Sequence, residues 1–117
     1  MKPNTLTEKY TQNKVCDWAK KRRIEANRQH KGAGAGTGWP DVQFILPAGR
    51  SVWIEFKSPG KKPTARQLHI IGKLERAGHE VHVCDDPEHG IEVLSAALDR
   101  ARSELAGETR LNAPRCA

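Results

Sequence analysis

Two hydrophobic rhythms alternate along the chain. From Thr7 to about Arg23, the positions of Tyr10, Val15, Trp18 and Ala19 make an imperfect apolar stripe near the helical period, which predicts a first helix capped by Thr7. After Pro40 the period shortens: DVQFIL (41–46) and SVWIEFK (51–57) read as strands, and PAGR between them is a Pro/Gly turn that predicts an antiparallel hairpin. SPGKKP then interrupts the pattern. The helical period returns from Thr64 to Ala77, with Leu68, Ile70, Ile71 and Leu74 on one face, Thr64 and Gln67 at capping-box spacing, and Gly78 as the stop. HEVHVC (79–84) predicts a third strand, and the short return from the helix favours its lying beside an earlier strand. Ile91, Leu94, Leu98, Ala101 and Leu105 predict a final amphipathic helix.

The order helix, β-hairpin, helix, strand, helix implies an α/β fold with a mixed sheet flanked by helices. A chain of 117 residues supports one domain, expected over 7–106, with flexible ends at 1–6 and 107–117. GAGAGTG (32–38) lacks side chains to pack and is expected to be a mobile loop. It lacks the Gly-Lys-Ser/Thr ending of a phosphate-binding loop, so no nucleotide cofactor is expected. The chain contains neither a run of about 18 apolar residues nor an N-terminal apolar signal segment, so a cytoplasmic protein without membrane insertion is expected. Cys16, Cys84 and Cys116 are odd in number and lack C-x-x-C spacing, which argues against a disulfide framework and a cysteine zinc site; two are expected to pack and one to lie in the tail.

Charge changes the picture most. The whole net charge of +6 sits in residues 1–31, which hold nine Lys/Arg against three acids, while the other residues cancel. The centre of that run is Lys20, Lys21, Arg22 and Arg23, with Arg28 beyond, and such a one-ended field suits a polyanion. A solvated helix face is the plainer alternative. Nucleic acid is the leading partner.

Alternation along the second strand points Ile54 and Phe56 to one face and Glu55 and Lys57 to the other. Hairpin pairing can bring Asp41, at the start of the neighbouring strand, close to Glu55. Two hard carboxylates suit Mg²⁺ or Mn²⁺, with the Phe56 carbonyl as an extra ligand and Lys57 placed to hold or deprotonate a water or to balance phosphate charge. That set suits phosphodiester hydrolysis. The element order allows the hairpin, the basic end and the helix bearing Gln67 to meet, although Gln67 is equally explained as half of a helix cap. Lys61, Lys62 and Arg66 follow the strand closely enough to contact phosphates. His30, His69, His79, His82 and His89 lack zinc-site spacing and are expected to be structural or exposed. Trp18 and Trp53 are expected to pack; Trp39, beside Pro40 and Asp41, either packs or stacks on an unpaired base.

GWPD (38–41), WIEFKSPGKKPTARQ (53–67) and LERAGHEVHVCDD (74–86) together resemble the VRR-NUC (virus-type replication-repair nuclease) domain of the PD-(D/E)xK superfamily, particularly its stand-alone phage and bacterial members. The resemblance implies a restriction-endonuclease-like fold and metal-dependent DNA cleavage, often by homodimers acting on branched, flapped or four-way-junction DNA. It assigns Asp41 and Glu55 as metal ligands, Lys57 as the catalytic lysine and Gln67 as the supporting glutamine. The family usually carries a Glu in the first helix as an outer ligand; Glu8, with Gln12 one turn later, is the favoured counterpart and Glu25 the fallback. The alternatives are a non-catalytic nucleic-acid-binding module on the same fold and a structural dimer with a basic end.

Overall fold

A computed structural model describes residues 7–30 and 38–111. The expected glycine-rich loop, apart from Gly38, lies outside the described residues, as do the expected flexible N-terminus at 1–6 and, of the expected flexible tail at 107–117, residues 112–117 with Cys116. The elements run α1 (Glu8–Lys21), β1 (Glu25–Arg28), β2 (Val42–Ile45), β3 (Ser51–Phe56), α2 (Ala65–Arg76), β4 (Glu80–Cys84) and α3 (Pro87–Leu111). Every expected element is present. The unexpected one is β1, a short strand whose residues are largely exposed. EANR carries no apolar alternation, so pattern alone gave it no signature.

The four strands form one mixed sheet in the order β1-β2-β3-β4, antiparallel except for the parallel pair β3 and β4. The last pair is a β-α-β crossover through α2. Chain turns carry definite signals. The Thr7 hydroxyl caps α1 by accepting from the Tyr10 amide at 3.0 Å. The same helix ends in a Schellman motif: the amide of Arg23 donates to the Lys20 carbonyl and that of Ile24 to the Ala19 carbonyl. Arg23 there takes the left-handed conformation, φ 60°, usually left to glycine. Buried Ile24 then directs the chain into β1. At the end of α2, Gly78 meets the same demand at φ 94°.

The helices cover the two faces unequally. α1 and α3 pack on the face made by Val42, Phe44, Val52, Ile54, Phe56 and Cys84, and together they enclose the main core. α2 packs on the other face over Trp53 and Val81 through Ile70 and Leu74, a much smaller cluster. Three expected apolar positions point elsewhere: Leu68, Tyr10 and Leu105 are 56%, 44% and 46% exposed, while Thr11 takes a core place on α1. Tyr10 instead lies under the Lys14 ammonium, 5.6 Å from its ring centroid, and Arg22 stacks on Trp18 at 3.9 Å. α3 begins four residues before the apolar period starts and extends to Leu111, past the expected end of order at 106. Cys16 and Cys84 are buried free thiols, and burial, with the nearby Asp86 and Asp85 charges, pushes Cys84 up to about 12. No helix among the described residues is long and apolar enough to cross a membrane.

At the rim, Glu80 accepts from His82 at 2.7 Å and from Arg100 at 2.8 Å, tying β4 to α3. Burial works to raise the Glu80 carboxyl, but the hydrogen bonds from His82 and Arg100 outweigh it and hold the group below its ordinary 4.5. A depressed carboxyl contributes stability that is present above 4.5 and is lost as pH falls through the lower folded value. Glu80→Gln is therefore expected to lower the melting temperature at neutral pH and to close the gap to the unmutated protein at the acid end of a pH series. Gly90 packs α3 onto α1 so closely that an added Cβ would lie 2.7 Å from a Val15 methyl in the core. Gly90→Ala is expected to destabilise by about 1 kcal/mol net, overpacking exceeding the gain in helix propensity, as read from urea midpoints.

Candidate active site

Strand register decides which side chains meet. Val42 pairs with Ile54 and Gln43 with Trp53, so the next pair along the hairpin is Asp41 with Glu55, opposite one another on one face. That face is the one α2 covers, away from the main core. Asp41 lies just beyond β2 and continues the ladder by two routes. Its carbonyl accepts from the Gln29 amide at 2.8 Å, and its carboxylate Oδ2 accepts from the Phe56 amide at 2.8 Å. The carboxylate thus takes the place a backbone carbonyl would fill in an extended hairpin. Amide and carbonyl of one strand residue leave on the same side, so the Phe56 carbonyl also faces the Asp41 side.

Glu55, on the most deeply buried strand of the sheet, is 1% exposed, and Lys57, one residue past the end of that strand, is 9% exposed. Lys57 Nζ stands 3.2 Å from Glu55 Oε2, a contact that the two-residue spacing on one face of a strand produces directly. Such a pair is expensive to desolvate and is tolerated only with further hydrogen bonds. Gln67 supplies one: its Nε2 donates to the same Oε2 at 2.9 Å. The other end of that amide is committed as well, because Oε1 accepts from the Thr64 amide at 2.8 Å while Thr64 Oγ1 accepts from the Gln67 amide at 3.1 Å. The capping box therefore sets which end of the Gln67 amide faces Glu55. The cap and the supporting role, alternatives in the sequence, are one arrangement in the structure.

Gly38 and Trp39 bound the site on its other side. Gly38 has φ 92°, and a Cβ there would lie 2.8 Å from Arg66 Cγ and 2.9 Å from the Arg66 carbonyl, so only glycine lets this segment rest on α2. Trp39 stacks obliquely on Trp53, centroids 5.6 Å apart at 47°. Neither constraint had a sequence signal beyond the letters GWPD.

The donor set has a definite chemical character. Asp41, Glu55 and the Phe56 carbonyl offer hard oxygens, which fits an ion that binds through one or two carboxylates and keeps its waters. Among the described residues no group of three or more His, Cys, Asp or Glu gathers. The favoured and fallback third acids stand accordingly. Glu8 is exposed in the first turn of α1, whose N-terminal end points toward the Asp41 end of the sheet; half-buried Gln12 follows it. Glu25, exposed and paired with Ile45, lies four residues along β2 from Asp41, about 13 Å of strand.

The basic residues divide. Lys61, Lys62 and Arg66 are exposed around the start of α2, at the same end as Glu55. The run Lys20, Lys21, Arg22 and Arg23 does not meet the carboxylates: it sits at the C-terminal end of α1, where the chain turns into β1 at the Glu25 end of the sheet. The expectation that the basic end joins the site is corrected by β1, the strand without a pattern, which reverses the chain between the two. Positive charge at a helix C-terminus favours the helix dipole, and that explains the run locally. Arg28 donates to Asn13 Oδ1 at 3.0 Å, linking β1 to α1.

Known proteins share part of this sequence and this fold. A segment of 51 residues is 41% identical to "Putative nuclease p44" of Acyrthosiphon pisum secondary endosymbiont phage 1, covering 44% of this chain and 55% of that protein, so the match spans about half of the relative's length. Two solved structures share the fold: one described as a VRR_NUC domain, with TM-score 0.66 and 20% identity over 75% of this chain and 94% of the other, and one described as a VRR_NUC domain protein, with TM-score 0.62 and 24% identity over 77% and 86%. The family model for the VRR-NUC domain matches residues 3–86, which include Asp41, Glu55, Lys57 and Gln67 together with the whole sheet. A match over most of the chain, on a mixed sheet with the restriction-endonuclease-like arrangement, places this protein in the VRR-NUC domain family.

Proposed function

We propose that the protein is a divalent-metal-dependent endonuclease that hydrolyses phosphodiester bonds in DNA, acting as a homodimer on branched, flapped or four-way-junction substrates in replication or repair. The observation that carries this reading is the convergence of Lys57 and Gln67 on one carboxylate oxygen of Glu55, with Asp41 opposite in register. Asp41, Glu55 and the Phe56 carbonyl would hold Mg²⁺ or Mn²⁺, with Glu8 as an outer ligand. The ion when bound supplies an acidified water and charge stabilisation for the pentacovalent phosphorus.

The chain's own groups divide the remaining work. Lys57 Nζ, anchored at Glu55, donates toward the attacking water or a non-bridging phosphate oxygen on the substrate side of the carboxylate. Gln67 holds the plane of the Glu55 carboxylate, so the oxygen offered to the ion does not rotate away when substrate arrives. Asp41, fixed by the Phe56 amide, keeps the two strands at the spacing that sets the distance between the carboxylates. Lys61, Lys62 and Arg66 contact flanking phosphates without reading sequence. The two-carboxylate donor set keeps a second reading in view, a binding module that does not turn over.

Cleavage assays on plasmid, flap and four-way-junction DNA separate the two. Cutting in Mg²⁺ or Mn²⁺ that EDTA abolishes is expected, whereas binding without cutting under any of these conditions gives the binding module. Lys57→Ala is expected to slow cleavage about a hundredfold or more. Because it leaves a buried carboxylate uncompensated, Lys57→Gln serves beside it as the better-folding variant. Undiminished cutting by both would remove Lys57 from the mechanism. Gln67→Glu keeps the capping acceptor but sets a carboxylate against Glu55; it is expected to lose about tenfold or more in rate while Gln67→Ala loses rate and helix stability together, measured by steady-state kinetics and thermal melting.

A further inference from the structure

α2 covers only the β3–β4 half of its face of the sheet. On the β1–β2 half, Asn27 Nδ2 donates to Gln43 Oε1 at 3.3 Å and Gln43 Nε2 donates to Ser51 Oγ of β3 at 3.2 Å, and exposed Glu25 and Ile45 pair at the far end. Asn27 and Gln43 lie one row away from the Asp41–Glu55 pair, since Asn27 pairs with Gln43 and Gln43 with Trp53, and Ser51, opposite Ile45, lies one row further. At the carboxylate end stands Trp39, two residues before Asp41.

We propose that this half-face, which no element among the described residues covers, is a track for an unpaired nucleotide strand leading into the active site, with Trp39 as its base-stacking platform. The proposal rests on the nuclease reading only for the position of the bond that is cut.

Four observations carry it. Trp39 is 38% exposed although its ring is backed by Trp53, so one part of a large aromatic residue is held still and another is offered to solvent. Its backbone is not free to swing: Pro40 is buried, and Gly38 lies against Arg66 with no room for a Cβ. A platform ordered before binding loses little entropy on contact. The surroundings match the ligand: exposed Lys61, Lys62 and Arg66 stand on the α2 side for phosphates, and amides line the floor for base and sugar edges. Finally, a base inside a duplex has both faces occupied by its neighbours, so within continuous duplex a ring beside the site finds no base face, whereas an unpaired nucleotide offers one. Stacking of this kind tolerates any base. The track thus selects DNA with a single-stranded arm at the cut and gives no sequence preference.

The test is fluorescence anisotropy with the full-length Lys57→Gln protein in Mg²⁺, comparing labelled blunt duplex, duplex with a single-stranded arm, and the same arm with abasic nucleotides next to the junction. Preference for the arm over the blunt duplex is expected, reduced roughly tenfold or more by Trp39→Ala and largely kept by Trp39→Phe. Abasic nucleotides should weaken the parent by a similar factor and leave Trp39→Ala unaffected. Equal weakening of all three substrates by Trp39→Ala, an abasic arm bound as tightly as the normal arm, or no preference for the arm overturns the track. Cleavage that fails while the preference survives would refute the nuclease reading and leave the track standing; cleavage that holds while Trp39 proves irrelevant does the reverse.

Discussion

Everything at the candidate site depends on a carboxylate kept out of water. Glu55 sits on β3, a strand with neighbours on both sides and helices on both faces, where only the side-chain alternation of the strand separates it from the hydrophobic core. Burying that group requires compensation, and Lys57 and Gln67 provide it at 3.2 and 2.9 Å. The same two partners that make burial tolerable also orient the group. Structural necessity and the proposed chemistry therefore place the same demands on the same atoms.

The remaining architecture can be understood as support for that position. α1 and α3 supply most of the buried apolar surface and fix β3 from behind. The hairpin fixes Asp41 opposite Glu55, and the crossover through α2 delivers Gln67 above it. Lys61, Lys62 and Arg66 arrive at the same end because the connection from β3 to α2 is short. Positive charge is thus distributed at both ends of the molecule for different reasons, one near the carboxylates and one at the end of α1.

Much of this was legible in the chain because it rests on local periodicity. The hairpin, the capped α2 and the alternation that separates Ile54 and Phe56 from Glu55 and Lys57 are consequences of spacings of two and of three to four, and the structure contains each of them. What escaped was whatever needs tertiary context. β1 is polar and exposed, and it is a strand only because β2 offers an open edge. Leu68 has the right spacing for the α2 face yet lies outside it, since the helix buries only the narrow strip of Ile70, Ile71 and Leu74. The displacement of the basic run follows from β1, so one missed strand accounts for the largest difference in charge placement. The dual bonding of Gln67 was visible as two competing explanations, and only three-dimensional proximity shows that they are compatible.

The two hydrophobic clusters differ greatly in size, and the smaller one lies under α2. Local opening costs less where fewer apolar contacts are broken, so the layer that orients Glu55 is more easily lifted from the sheet than the layer of α1 and α3. Its departure would withdraw Gln67 and admit water to the buried ion pair while the larger layer stayed intact. Chemical competence is thereby exposed to fluctuations far smaller than those that melt the globule.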